Sequence, residues 1–298
     1  MLKFTLNPFD VLFFGDGRPF DKGSDALSVF PPYSYTVASS IFARMYQLKG
    51  IKYEDKPLIK AVYGPFLQKD DTIYFSSPMD IVTNGELNKI DVLQLISQVH
   101  SNDTIIDCAC TDLGENISNY LWLTGKSHKE IKPFKGYISL EGLKKWQIGE
   151  MPCKEDLLRV NETYDYEERI GIHIDDNTGT TMQEDGLYRV LFTRLKNNFK
   201  FVFWIDFNVT NLSNYFKNED DILQFYTTKP CTLKLGGEGK SIYYECKRHD
   251  FKSLFQNFKV NFQERLHKVL FLTQGIFNKE HGKENIITYI YGFKTGVI

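Results

Sequence analysis

Lys234-Leu235-Gly236-Gly237-Glu238-Gly239-Lys240-Ser241 is where residue types and spacing first point to chemistry in this chain. Consecutive glycines let a backbone approach a ligand closely and present N–H donors to phosphate. Lys234 and Lys240 bracket the loop with positive charge. A nucleotide-binding P-loop needs G-x-x-x-x-G-K-[ST], and its first glycine would fall at Lys234. The loop therefore reads as a phosphate-contacting turn without NTP hydrolysis. A second loop, Gly15-Asp16-Gly17-Arg18-Pro19-Phe20, starts as G-x-G but has Phe20 where a dinucleotide fingerprint needs its third glycine. Arg18, held between Gly17 and Pro19, presents a forked donor suited to phosphate or carboxylate, and Lys22 follows it.

Signals for catalysis are weaker. Acid pairs occur at Asp70-Asp71, Asp175-Asp176 and Asp220-Asp221. Neighbours on a strand point to opposite faces, so such a pair is no ready-made Mg²⁺ site. No H-E-x-x-H and no G-x-S-x-G is present among the six histidines and the serines. His173 alternates with Ile170, Ile172 and Ile174, so it is expected opposite their stripe, as a ligand contact or an acid–base in RNA cleavage. The cysteines Cys108, Cys110, Cys153, Cys231 and Cys246 are odd in number and scattered, and read as reduced cytosolic thiols. The C-x-C pair has no second pair to complete a zinc site. Neither metal nor cofactor is expected.

The elements that must position these residues are mostly strands. The pattern predicts a strand from Lys3 to Phe14, then a helix from Ser34 to about Leu48 with an apolar stripe of Val37, Ile41, Met45 and Leu48. Arg44 lies on that helix as a further phosphate candidate. A strand interrupted by proline follows over 72–82, a helix over 86–99, and an irregular insertion over 100–135. Gly136 to Leu140 reads as a strand leading into a helical turn ending near Trp146. Further strands are expected at Ile170–Ile174, Leu187–Arg194, Phe199–Phe207, Cys231–Leu235, Ser241–Cys246, Lys268–Thr273 and Ile286–Phe293. Strands without regular βαβ alternation favour an α+β fold with antiparallel sheets, with a boundary near residue 150. No apolar run reaches the roughly 18 residues of a membrane span, and Met1 leads straight into the strand pattern without a signal peptide.

The 298 residues carry a net charge of −2, which is no basic RNA-coating surface. Residues 229–298 nevertheless hold 12 Lys/Arg against 6 Asp/Glu, so the quarter with the glycine loop is basic.

Three blocks resemble one family. They are Phe9-Asp10-Val11-Leu12-Phe13-Phe14-Gly15-Asp16-Gly17-Arg18-Pro19-Phe20, then Arg169-Ile170-Gly171-Ile172-His173-Ile174-Asp175 with Thr178-Gly179-Thr180 and Asp185-Gly186-Leu187-Tyr188, then Leu235-Gly236-Gly237-Glu238-Gly239-Lys240. Their order over about 230 residues is similar to the third Cmr subunit (RAMP superfamily) of type III-B CRISPR–Cas effector complexes. The chain departs from the family at Gly15, where relatives carry arginine, and at Ser39, where they carry glycine.

The resemblance implies two tandem ferredoxin-like (RRM-like) domains, 1–150 and 151–298, with inserted loops and a β-hairpin thumb at about Asp175 to Asp185. It implies a cytoplasmic, non-catalytic subunit that binds the 5′ tag of the guide RNA. It also implies docking to the large polymerase-like subunit and to the backbone RAMP subunit, with target RNA met only indirectly. Arg18, Lys22, Arg44, Arg169, His173, Lys234, Gly236, Gly237, Gly239 and Lys240 would be its RNA contacts. Tyr33, Tyr35, Tyr243 and Phe20 would be candidates for base stacking. The rival reading is a RAMP-class endoribonuclease that processes precursor guide RNA with His173 as its base.

Overall fold

The computed structural model describes residues 1–15, 25–51, 57–83, 90–92, 94–95, 121–122, 132–175, 178–182, 186–258 and 270–273. Along the chain the strands are β1 (Leu2–Pro8), β2 (Asp25–Ala26), β3 (Ile59–Lys69), β4 (Thr72–Ser76), β5 (Ile81–Thr83), β6 (Ile90–Val92), β7 (Gln94–Leu95) and β8 (Leu121–Trp122). There follow β9 (Lys132–Pro133), β10 (Gly136–Ser139), β11 (Leu157–Arg159), β12 (Tyr164–Ile172), β13 (Leu187–Leu195), β14 (Phe199–Phe207), β15 (Thr232–Lys234) and β16 (Ser241–Arg248). The helices are α1 (Ser34–Lys49), α2 (Leu140–Gln147), α3 (Val160–Thr163) and α4 (Glu219–Thr227). The fold is α+β, with mostly antiparallel sheet and few helices. Among the described residues no helix is long and apolar enough to cross a membrane.

Contacts divide the chain into two compact units, residues 1–75 with 160–267 and 271–274, and residues 76–159 with 268–270 and 275–298. Segments from both sides of residue 150 build the first unit, so its limits are not those of 1–150 and 151–298.

In the first unit β4, β3, β14, β1, β16 and β15 lie side by side in that order, each antiparallel to the next. Helix α1 crosses from β1 to β3 and α4 from β14 to β16, so β1-α1-β3-β14-α4-β16 form a split βαβ arrangement. Alternation explains its core. Leu2, Phe4 and Leu6 are buried, with Phe4 stacked on Phe203 at 5.1 Å and edge-on to Tyr226 of α4 at 5.1 Å. The Tyr226 hydroxyl donates to the Ile41 carbonyl of α1 at 3.0 Å.

Helix α1 matches its expected span, and Val37, Ile41 and Met45 are buried while Leu48 is exposed. Helix α4 is not among the expected elements, although Ile222, Phe225 and Tyr226 stand at i, i+3 and i+4, with Ile222 and Tyr226 buried. It is set by its cap: the Asn218 side chain accepts from the Asp221 N–H at 3.0 Å, and Glu219, Asp220 and Asp221 fill the positive first turn. That placement accounts for the acid pair Asp220-Asp221. Asp70 and Asp71 form the β3–β4 turn, and the Asp175 carboxylate accepts from the Thr178 N–H at 3.2 Å in another.

Two expectations need correction. Ile90–Val92 is a strand pairing antiparallel with β5, not part of a helix, because β-branched Ile90 and Val92 find a partner edge there. Residues 270–273 are not in a strand; the rest of Lys268–Thr273, all of Ile286–Phe293 and most of the 100–135 insertion lie outside the described residues.

In the second unit α2 begins at Ser139, whose hydroxyl accepts from the Gly142 N–H at 3.0 Å and donates to Asp156 Oδ1 at 3.0 Å. Asp156 Oδ2 also accepts from Lys145 Nζ at 2.7 Å and from the Cys153 N–H at 2.8 Å. Burial alone would raise the Asp156 carboxyl, but these bonds together outweigh it and hold it below the usual range. A depressed folded value means stabilisation that is complete above the unfolded carboxylate range, about pH 4, and lost as the pH falls through the lower folded value. Asp156→Asn should therefore unfold at lower urea than the wild type at pH 7, with the gap closing toward pH 3. A gap independent of pH would refute this role.

Candidate nucleic-acid interface

The glycine-rich loop connects β15 to β16 in the first unit. Gly236, Glu238 and Gly239 all have positive φ, at 76°, 57° and 62°. Gly236 is also pressed on the Phe13 backbone: a Cβ there would lie 2.2 Å from the Phe13 carbonyl oxygen. The Gly237 N–H donates to that same oxygen at 2.8 Å. One of the amides expected to face phosphate is thus spent on tertiary structure. Residues 236–239 are exposed, and among the described residues the N–H groups of Glu238 and Gly239 have no acceptor.

The loop therefore docks on the segment that leads into the second expected loop. After β1 the chain bends at Phe9-Asp10, which ends the strand earlier than its alternation suggests. Leu12 then bridges Thr193, and Gly15 bridges Ser28. Buried Ser28 accepts from the Phe14 N–H at 3.1 Å and from the Thr193 hydroxyl at 3.0 Å, fixing the exit. Arg18, Lys22 and Phe20 lie outside the described residues.

Strands β12, β13 and β2 form the sheet beside this junction. Its covered side packs Val190, Phe192, Val11, Phe13 and Tyr188 together. Two cations lie over the Phe192 ring: Lys240 Nζ at 4.8 Å and the Arg169 guanidinium at 5.2 Å. The structure thus brings together Gly236, Gly237, Gly239, Lys240 and Arg169. Lys234 is exposed at the loop's edge.

Arg169 is not a free cation. Asp10 accepts from Arg169 Nη2 at 3.0 Å and from Arg194 Nη2 at 2.8 Å. Glu167 accepts from Arg169 Nε at 2.8 Å and from Arg194 Nε at 2.6 Å. This closed quartet holds both carboxyls below their usual range, chiefly through the Arg169 bond for Asp10 and the Arg194 bond for Glu167. It ties the Phe9-Asp10 bend to β12 and β13, and opens as the pH falls through those lowered values. Sequence reading missed Asp10, Glu167 and Arg194, since no local spacing relates residues 10, 167 and 194.

Two further candidates are placed differently from expectation. Arg44 is only 8% exposed; Nη2 donates to the Thr228 carbonyl at 3.1 Å, and Nη1 to that of Thr232 at 3.3 Å. Its guanidinium lies 5.7 Å from the Phe225 ring centre and 5.5 Å from that of Tyr244. It closes the end of α4 onto β15 rather than facing a ligand. His173 is half-buried, edge-on to the Tyr188 ring at 6.1 Å, while Ile170, Ile172 and Ile174 across the strand are exposed. Alternation gave the two faces correctly but not which one is covered. Tyr35 and Tyr243 are exposed, and Tyr33 stacks on Tyr35 at 5.2 Å.

The family model of CRISPR-associated protein (Cas_Cmr3) matches residues 4–290. The chain belongs to the Cas_Cmr3 family.

No curated protein matches it. A chain of the type III-B Cmr-beta complex bound to cognate target RNA is similar at 16% identity and a TM-score of 0.47. A chain of that complex bound to cognate target RNA and AMPPnP, state 1, shows 14% identity and a TM-score of 0.46. In both cases 83% of the Cas_Cmr3 chain is covered. The chain spans 64% of the length of either, less than two thirds. A chain of the Csm1–Csm4 cassette in complex with pppApA shows 10% identity and a TM-score of 0.33, with coverage of 84% and 70%.

Proposed function

We propose that this Cas_Cmr3 chain is a non-catalytic subunit of a type III-B CRISPR (Cmr) effector complex. It holds the 5′ tag of the guide RNA and bridges the large polymerase-like subunit to the backbone RAMP subunits in the cytoplasm; target RNA is met through the guide. The observation that carries this reading is the docking of the Gly236–Lys240 loop on Phe13, with Lys240 over Phe192 beside it. Exposed amides next to an ammonium suit a phosphate backbone, and such contacts position RNA without reading its sequence. Lys234, Gly239 and the exposed Tyr243 extend that surface. Arg18, Lys22 and the thumb near Asp175 to Asp185 are proposed to complete it. The second ferredoxin-like domain of the family would fall to the second unit.

The endoribonuclease reading has less support. His173 is held against Tyr188, and its ring has no hydrogen-bonded acid among the described residues.

Lys240→Glu tests the proposal in the assembled complex. About five phosphate contacts give a plot of log K against log salt a slope of roughly −3.5. The variant should bind tag RNA about tenfold more weakly, with the slope shallower by roughly 0.7. Wild-type affinity and slope would refute the loop assignment, and metal-independent cleavage of repeat RNA lost in His173→Ala would favour the nuclease.

A further inference from the structure

At the other end of β16, two lysines stand directly opposite each other. Lys3 of β1 pairs with Lys247 of β16 on one side and with Trp204 of β14 on the other. Directly opposed residues project from the same face, and like charges placed so repel. This is the face opposite Phe4 and α4, since alternation puts Lys3 and Phe4 on opposite sides. The Lys3 stem is buried, and its Nζ lies 5.3 Å from the Trp204 ring centre. Trp204 also donates its indole N–H to His249 Nδ1 at 3.1 Å, which leaves Nε2 as the protonated nitrogen of neutral His249. Among the described residues neither Lys3 nor Lys247 has a carboxylate within salt-bridge distance.

The groups also act on each other. Burial, then Lys247, lowers the Lys3 ammonium, with Asp71 opposing. Burial, then Lys3 and Lys247, lowers His249, with Asp250 opposing. Asp71 and Asp250 act on the cluster without forming an ion pair to Lys3 or Lys247 among the described residues, so three gathered donors keep a mutual repulsion that an anion among them would relieve.

We propose that Lys3, Lys247 and His249 hold a phosphate of the single-stranded RNA backbone, as a second contact apart from the glycine-rich loop. From Ser241 at the loop's edge to Lys247 is about 20 Å of extended strand at roughly 3.3 Å per residue. A strand of several nucleotides could therefore reach both. The phosphate chemistry follows from the cluster itself; only its source in RNA rests on the function proposed above.

The test follows the His249 ring by NMR in the full-length chain as inorganic phosphate, and separately single-stranded RNA, is added at constant ionic strength. Either should shift the ring resonances and raise the His249 pKa, and Lys3→Met with Lys247→Gln should abolish both responses. Lys247→Gln alone, at an exposed position, guards against a folding defect from Lys3→Met. RNA binding should lose roughly 0.7 of salt slope for each ammonium removed. A His249 ring that ignores both probes overturns the site. A response to inorganic phosphate but not to RNA shows an adventitious ion only and also overturns it. RNA binding that needs Lys240 but not Lys3 or Lys247 overturns this contact and leaves the loop reading standing; the reverse dependence supports this contact and removes the loop.

Discussion

Gly236→Ala is expected to destabilise the first unit by about 2–5 kcal/mol and to remove tag-RNA binding with it. The left-handed backbone at this residue, φ 76°, costs a side chain about 1–2 kcal/mol. The new Cβ would also sit 2.2 Å from the Phe13 carbonyl oxygen, and relieving such a clash typically costs about 1–3 kcal/mol more. The loop cannot stay where it is, so the Gly237 N–H bond to Phe13 should break with it. Gly239→Ala is the control, because its φ of 62° is similar while nothing lies within 4 Å of its Cβ. Denaturant unfolding of the two variants should therefore separate strain from contact. Equal losses would mean that the Phe13 contact contributes nothing. Gly237→Asp is a poorer probe of RNA contact, since its Cβ would press on the Phe13 ring at 2.9 Å.

Arg44→Ala should cost about 3 kcal/mol of stability while leaving the RNA affinity of the folded protein and its salt slope unchanged. Two part-buried hydrogen bonds from a charged donor to backbone carbonyls are lost, and such bonds are each worth about 1.5–3 kcal/mol. The Phe225 and Tyr244 rings lose the cation between them as well. Urea unfolding and a salt series of RNA binding respond oppositely to the two roles open to Arg44. A shallower salt slope with unchanged stability would restore it as a phosphate contact.

The two substitutions show how far local sequence reaches. The arginine lies on a helix whose span was legible, yet Arg44 projects onto the end of α4, more than 180 positions away. The glycines were legible as a loop, but not that their partner is Phe13, more than two hundred positions away. The quartet of Asp10, Glu167, Arg169 and Arg194 and the pairing of Lys3 with Lys247 share that property. Each depends on strands that meet only after the chain has closed long loops.

The sequence by itself determined what is local. A nearly continuous apolar run set β14 at Phe199–Phe207, the 3.6-residue period set α1, and glycine and cap chemistry set the turns. The ordered motifs carried the family resemblance in the same way, because they are runs of adjacent residues. Only the tertiary structure decided which face of each element is covered. It buried Arg44, exposed Ile170, Ile172 and Ile174, and joined β1, β14 and β16 in one sheet across residue 150. The physical reason is that periodicity fixes the side on which a residue lies, whereas burial of that side depends on a partner distant in the chain.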